Sequence, residues 1–316
     1  MEEQNLDGSR RKAVREAERT AYDLAVAYRV YPRVSRPALR LPLGDDKLRL
    51  AEACLRSFRN SLGPLRVRIW AILDGCPEAY RELFERYFAR EDLVFIDLAG
   101  VGNQATFGRQ IDILLSQDEA DFVYFAEDDY VYHPGQFPVM LNFLRERNDV
   151  DFVTPYDHPD CYRLLLHREP EWLTVFEAQH WRTAASTCLT FLTRKSTLAE
   201  YEGVFRTYTR RNDDCAMWMS LTKRRVLSPL ALAKYVWKRE FYWKALVKAW
   251  VHCWRQILFG RRARLWVPVP GLASHWCSGL FSPGYNWTAF MLEAASGLGV
   301  TRVPALGEAE RIERLG

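Results

Sequence analysis

A chain of 316 residues, 48% hydrophobic and 14% aromatic, can bury a sizeable core as one large domain or as one domain with an appendage, which excludes a disordered chain. Its net charge of +4 hides a division: between Lys223 and Arg264 twelve Lys/Arg face the single acid Glu240, a local balance of +11 that leaves −7 for the rest. Seven scattered cysteines, none in a C-x-x-C pair, exclude a disulfide framework and a zinc-thiolate site and suit a reducing compartment.

Residues 1–20 read as a charged tail with no apolar stretch of the kind a secretory signal carries, so a cytoplasmic location is expected. "AYDLAVAYRV" then predicts a strand, and "DKLRLAEACLRSFRNSLG" an amphipathic helix closed by Gly63-Pro64. "LRVRIWAIL" predicts a second strand ending at Asp74-Gly75, followed by a helix in "PEAYRELFERYFA". "LVFIDLAG" is a third strand, leading through Gly100 and Gly102 into a helix over "ATFGRQIDILLSQ"; "DFVYFA" is the fourth. Four alternations with short connections predict a three-layer α/β domain on a parallel sheet, whose ligands gather at the carboxyl ends of the strands. Beyond it, "DVDFVTPYDH" and "ASTCLTFLT" read as further strands, less clearly parallel, and "NDDCAMWMSLTKRR" as a helix opened by cap-type residues.

The fourth strand runs into Glu127, Asp128 and Asp129 within "FVYFAEDDYVYHPGQF". Three adjacent carboxylates repel one another and add nothing to packing, so a cation is expected to offset them. Hard divalent ions take oxygen ligands, and Mg2+ or Mn2+ in phosphate chemistry is held by one or two carboxylates with the substrate's phosphates completing the shell. A solvated acidic turn is the plainer alternative.

Strand, Glu-Asp-Asp, short spacer, Pro134 and Phe137 together resemble the metal motif of GT-A fold glycosyltransferases, in the EDD form of N-acetylglucosaminyltransferase I and near the inverting family-2 enzymes. The sequence departs from the family-2 "DAD" spelling, with Ala126 in the place of the first Asp. The resemblance covers roughly residues 21–225 and part of the C-terminal tail. It implies an α/β GT-A fold with a mixed, mainly parallel sheet between helices. It also implies metal binding at Asp129, with Asp128 and a late His275 beside it, and Glu127 and Asp128 on the ribose or the metal-bound waters. "AYRVYP", with Arg29, stands in the donor-binding loop; Asp74 in "ILDG" stands where an acid contacts the nucleotide base; and "GNQATFGRQ" places Asn103, Arg109 and Gln110 in the family's donor-side helix. Asp-Gly after a strand is also a common turn, Arg109 also fits a helix surface, and a lone His is also an ordinary structural residue.

Inverting transfer needs a carboxylate that takes the acceptor's proton. "RRNDDCAMW" offers Asp214 as base with Asp213 beside it, 85 residues beyond Asp129; an N-cap with favourable helix-dipole charge is the alternative.

Placed on a helix at about 100° per residue, Lys234, Lys238, Lys244, Lys248, His252 and Arg255 share one arc, opposite Val236, Trp243, Val247, Trp250, Trp254 and Ile257. That pattern suits a helix lying on an anionic membrane, peripheral on its inner face, with a lipid-linked acceptor, or else a helix whose Trp face packs on the core. No recognised nucleic-acid module accompanies the charge, so no nucleic-acid partner is expected. The run Leu265–Leu292 is uncharged but broken by Pro268, Pro270 and Pro283, so it does not span a membrane.

The expected organisation is a tail at 1–20, a catalytic domain at 21–228, a basic Trp-rich helical segment at 229–264 and a C-terminal segment at 265–316 that returns to the active site. The expected activity is metal-dependent transfer of a sugar from a UDP or GDP donor to a glycan or lipid-linked acceptor hydroxyl, with Mn2+ or Mg2+ as cofactor. A nucleotidyltransferase of related fold and a non-catalytic membrane-surface protein are the rivals.

Overall fold

The computed structural model describes residues 21–33, 46–164, 166–167, 172–228, 243–277 and 279–296. The charged tail at 1–20 and the stretch 229–242, with Lys234, Val236 and Lys238, lie outside them.

β1 (Leu24–Val30), β2 (Val67–Asp74), β3 (Leu93–Leu98) and β4 (Phe122–Glu127) alternate with α1 (Lys47–Ser61), α2 (Glu78–Tyr87) and α3 (Asn103–Ser116). All four strands are parallel in the order β3-β2-β1-β4, as the alternation predicts. β1 is buried along its whole length, which a central strand covered on both faces requires and which its near-continuous apolar sequence supplies. The chain order reverses at β1, which pairs with β2 on one side and β4 on the other. In open α/β sheets ligands bind at such a switch point, outside the carboxyl ends of the strands.

The chain continues through β5 (Tyr130–Tyr132), α4 (Phe137–Glu146), β6 (Phe152–Val153), α5 (Asp160–Arg163), β7 (Leu173–Phe176), β8 (Gln179–Ala184), β9 (Phe191–Arg194), α6 (Lys195–Phe205), α7 (Asp214–Thr222), α8 (Trp243–Phe259), β10 (Leu265–Val269), β11 (Ala273–His275) and α9 (Trp287–Ser296). The sheet grows to nine strands, β3-β2-β1-β4-β9-β6-β10-β8-β7, with β9 antiparallel to β4. β10 lies inside this sheet, parallel to β6 and antiparallel to β8, so the segment after 265 contributes to the same core as the strands before 228. The β7–β8 hairpin went unpredicted for a clear reason. Its two turn residues, Glu177 and Ala178, have φ of 48° and 61°, where a tight hairpin ordinarily uses Asn-Gly.

Aromatic side chains fill both faces of the sheet. Phe58, Tyr124 and Phe137 gather on one face, where Phe143 also stacks on Trp181 at 4.0 Å; Phe107, Phe125, Phe191, Phe205 and Trp218 gather on the other. Such edge-to-face and stacked pairs add about 0.5–1.5 kcal/mol each beyond area burial.

Candidate active site

A cleft of about 630 Å³ opens at the carboxyl ends of β1 and β4, a size suited to a small-molecule ligand. Arg29, Asn103, Glu127, Asp129, Asp214 and His275 line it, so tertiary structure brings together six of the residues expected from the sequence.

The register explains the first pair. β1 and β4 run parallel with Arg29 opposite Glu127, one residue from the end of β1 and at the last position of β4. Their side chains form an ion pair, and Arg29 also donates to the side-chain oxygen of Asn103 at the start of α3. Thr190 Oγ1 donates to the other Glu127 oxygen at 2.9 Å, and Asn103 Nδ2 donates to the Tyr208 hydroxyl at 3.0 Å.

Each acid of the crowded triplet has its own partner. Glu127 takes Arg29; Asp128 takes Lys47 at 3.0 Å; Asp129 takes His275 Nε2 at 3.1 Å. Alternate strand residues point to opposite sides, and the turn after β4 sends the three carboxylates to three partners. β5 and β11 pair antiparallel with Tyr130 opposite His275, which delivers the late histidine to Asp129 from 146 residues away. Burial opposes the charge on Asp129, but His275, Lys47 and Arg29 outweigh it and hold the carboxyl below its usual range. Burial pushes the Asp128 carboxyl up, with Asp129 adding to the effect, while Lys47 and the Tyr31 amide work against both.

At the other end of the cleft, Asp213 N-caps α7, accepting from the Ala216 amide at 2.8 Å, and pairs with Lys248 at 3.2 Å. Asp214, the first residue of α7, is pushed up to about 6 by burial, with Asp213 and Glu127 adding to the effect against the Cys215 amide. A carboxylate poised near neutrality is suited to general-base work.

The sequence profile of glycosyl transferase family 2 matches residues 48–214, more than half of the chain. The chain belongs to glycosyl transferase family 2.

The mixed sheet of this family 2 member, parallel at its centre and flanked by helices, is the GT-A glycosyltransferase fold. No curated protein matches the sequence. Among solved structures, S. aureus TarS 1–349 is similar at 13% identity over 59% of this chain and 55% of that one, with a TM-score of 0.38. The same TarS fragment in complex with UDP gives 14%, 63%, 54% and 0.38. The galactosyltransferase LgtC, in complex with donor and acceptor sugar analogs, gives 11% identity over 92% of this chain and 99% of that one, with a TM-score of 0.41. The chain thus spans about half the length of the TarS 1–349 structures.

Five expected contacts lie elsewhere in this glycosyl transferase family 2 chain. Gln110 is fully buried, does not line the cleft, and donates to the carbonyls of Ala27 and Ala126, tying β1 to β4 near the strand ends. Arg109, one residue away on α3, points to solvent and does not line the cleft. Asp128 is enclosed by Lys47 and the Tyr31 amide and does not line the cleft. Asp213 is a cap and ion-pair partner beside Asp214 and does not line the cleft.

Asp74, 2% exposed, accepts from the amides of Val101 and Gly102 at 2.7 and 2.8 Å. Gly100 and Gly102, at φ of 81° and 85°, let that loop fold back so that its N–H groups face the carboxylate. Asp74 therefore shapes the entry to α3, and with it Asn103. Asp74→Ala strands two amides and should cost about 1–3 kcal/mol in urea unfolding; a loss under half of that would show the loop to be self-supporting.

Sequence reasoning missed Lys47, Thr190 and Tyr208. Lys47 carried a signal: a cation in the first turn of a helix opposes the dipole and calls for an anionic partner. Thr190 and Tyr208 carried none.

Proposed function

We propose that this protein transfers a sugar from a nucleotide-diphosphate sugar, of UDP or GDP type, to an acceptor hydroxyl with inversion, with Asp214 as general base. One observation carries the reading: a single cleft holds one carboxylate kept ionised, Asp129, and another raised to about 6, Asp214. Environments that push two acids apart assign them different tasks. Asp214, ionised near neutrality, takes the acceptor proton as the hydroxyl attacks the anomeric carbon. Asp213 and Lys248 fix the turn that carries it.

On the donor side, Arg29 and Lys47 line the cleft beside the Glu127–Asp129 triplet and offer positive charge to a diphosphate, and Asn103 opens α3 next to them. Among the described residues no three His, Cys, Asp or Glu side chains converge as a closed metal cage. Asp129 and His275 fit a divalent cation that brings its other ligands with the diphosphate. Asp129 Oδ1 is buried with no hydrogen-bond partner, which suits an oxygen kept for such an ion. Bound there, Mn2+ or Mg2+ would supply charge stabilisation for the departing diphosphate. Within the Glu-Asp-Asp triplet Asp129 is the acid left for the ion, while Glu127 and Asp128 hold Arg29 and Lys47 in place.

Calorimetric titration with nucleoside diphosphates, with and without Mn2+, tests the donor site. Metal-dependent binding of UDP or GDP is expected, reduced at least about tenfold in Asp129→Ala. Binding indifferent to both metal and the substitution would remove Asp129 from the site.

A further inference from the structure

The structure turns the surface of α8 differently from the sequence expectation. Ala245, Leu246, Ala249, Cys253 and Ile257 face the core, and Trp250 packs beside them, its indole N–H donating to the Val226 carbonyl at 3.2 Å. Trp243, Val247, Val251, Trp254, Leu258 and Phe259 are left on the outside, from 38% exposed at Trp243 to 78% at Phe259. The first five recur at intervals of four, four, three and four residues, a helical spacing, and the backbone kinks at Cys253 (φ −129°, ψ 22°) between Val251 and Trp254.

Charge along this segment has one sign. Residues 243–264 carry six Lys/Arg and no Asp or Glu. Lys244 and Arg255 lie over the rings of Trp243 and Trp254, at 5.9 and 5.4 Å, so cation and indole are presented together. The basic run then continues past Phe259 into a second exposed apolar group. Arg261, Arg262 and Arg264 line a groove with Trp172, Asp149 and Asp151; Arg261 pairs with Asp151 and Glu200 and Arg264 with Asp149, so the free positive charge of this surface rests on α8, while Arg264 lies 5.3 Å from the Trp172 indole. Leu173 and Val175 follow on the edge strand β7, at 71% and 59% exposed.

We infer that the stripe of α8, with the Trp172 edge beside it, docks on the headgroup region of an anionic lipid bilayer. Exposed Trp, Leu and Phe with flanking Lys and Arg match a surface that is apolar below and negative above. Val247, Val251 and Leu258, exposed between the aromatic residues, have no counterpart in a nucleic acid. Among the described residues no helix is long and apolar enough to cross a membrane, so the helix lies on the surface. Lys248 on the same helix pairs with Asp213, the cap of the helix that carries Asp214, so docking would seat the base close to the headgroups. Given the transferase reading, the acceptor class is a hydroxyl on a membrane-anchored molecule.

The test is co-sedimentation of the full chain with vesicles of phosphatidylcholine alone or with about one-third phosphatidylglycerol, beside Val251→Asp/Phe259→Asp. Both positions are well exposed, so the fold should survive. Binding to the anionic vesicles only, weakened by salt and reduced at least about tenfold in the double variant, is expected. No binding to anionic vesicles, or binding that the variant leaves unchanged, would overturn the inference. So would a wild-type dimer that the variant splits without any vesicle binding, since the stripe would then meet a second copy. Loss of thermal stability in the variant without vesicle binding would show that the chain's own residues outside the described set cover the stripe. Nucleoside diphosphate binding with Mn2+ is measured on both proteins. Its retention where vesicle binding fails would discard the surface alone, and its absence from the wild type would discard the donor site alone.

Discussion

Asp214→Asn should lower kcat by about 10²–10⁴-fold, the usual contribution of a positioned base, while leaving nucleotide binding within about twofold. The amide keeps an oxygen for the Cys215 N–H, which Asp214 Oδ1 accepts at 2.7 Å, so the start of α7 stays intact. Below pH about 6, kcat/KM of the wild type should fall tenfold per pH unit as Asp214 takes up its proton.

Stability should move the other way. A carboxyl raised from 3.8 to about 6 binds its proton more tightly in the folded state than in the unfolded one. Its stabilising contribution is therefore full below the unfolded value and lost as pH rises through about 6. At pH 8 the ionised group is a liability, and Asp214→Asn should unfold later by about 1–3 kcal/mol, part of it offset by the lost attraction to the helix N-terminus. A variant that keeps activity, or that loses activity and stability together, would strip Asp214 of the role of base.

Lys47→Met should be the costliest single change at the cleft, at about 3–5 kcal/mol in urea unfolding, because it leaves a buried charge without its partner. The side chains of Lys47 and Asp128 are 9% and 11% exposed. Burial opposes the charge on Lys47, yet Asp128 and Asp129 hold it protonated, above the usual lysine range. Asp128→Asn in the same chain should restore most of the loss, since the amide still accepts from Tyr31 N and carries no charge. A single variant that costs less than about 1 kcal/mol would mean that the pair behaves like a solvated surface bridge. Because Lys47 lines the cleft, the rescued double variant also separates its structural part from any part in holding a diphosphate.

Much of this was legible before folding. The runs "AYDLAVAYRV", "LRVRIWAIL" and "DFVYFA" became β1, β2 and β4 with their ends moved by one to three residues, because apolar β-formers between turn residues allow few other fates. The helix opening at "NDDCAMW" was equally plain, since Asp213 caps it within its own sequence. Arg109 and Gln110 show where such reading stops. They are neighbours in sequence, yet α3 sends one to solvent and the other between β1 and β4. Trp250 and Trp254 make the same point on α8: similar residues, one turn apart, one packed and one exposed.

By itself the sequence determined the elements, the parallel α/β core and the place of the acids at its strand ends, because periodicity and turn chemistry are local. Which partner meets each acid, which face of α8 is covered, and that Asp129, His275 and Asp214 share one cleft were decided only by tertiary structure. Those pairings join residues up to 146 positions apart, and the burial that raises the Asp214 carboxyl, like the neighbours that keep Asp129 ionised against its own burial, exists only once the chain has closed around them.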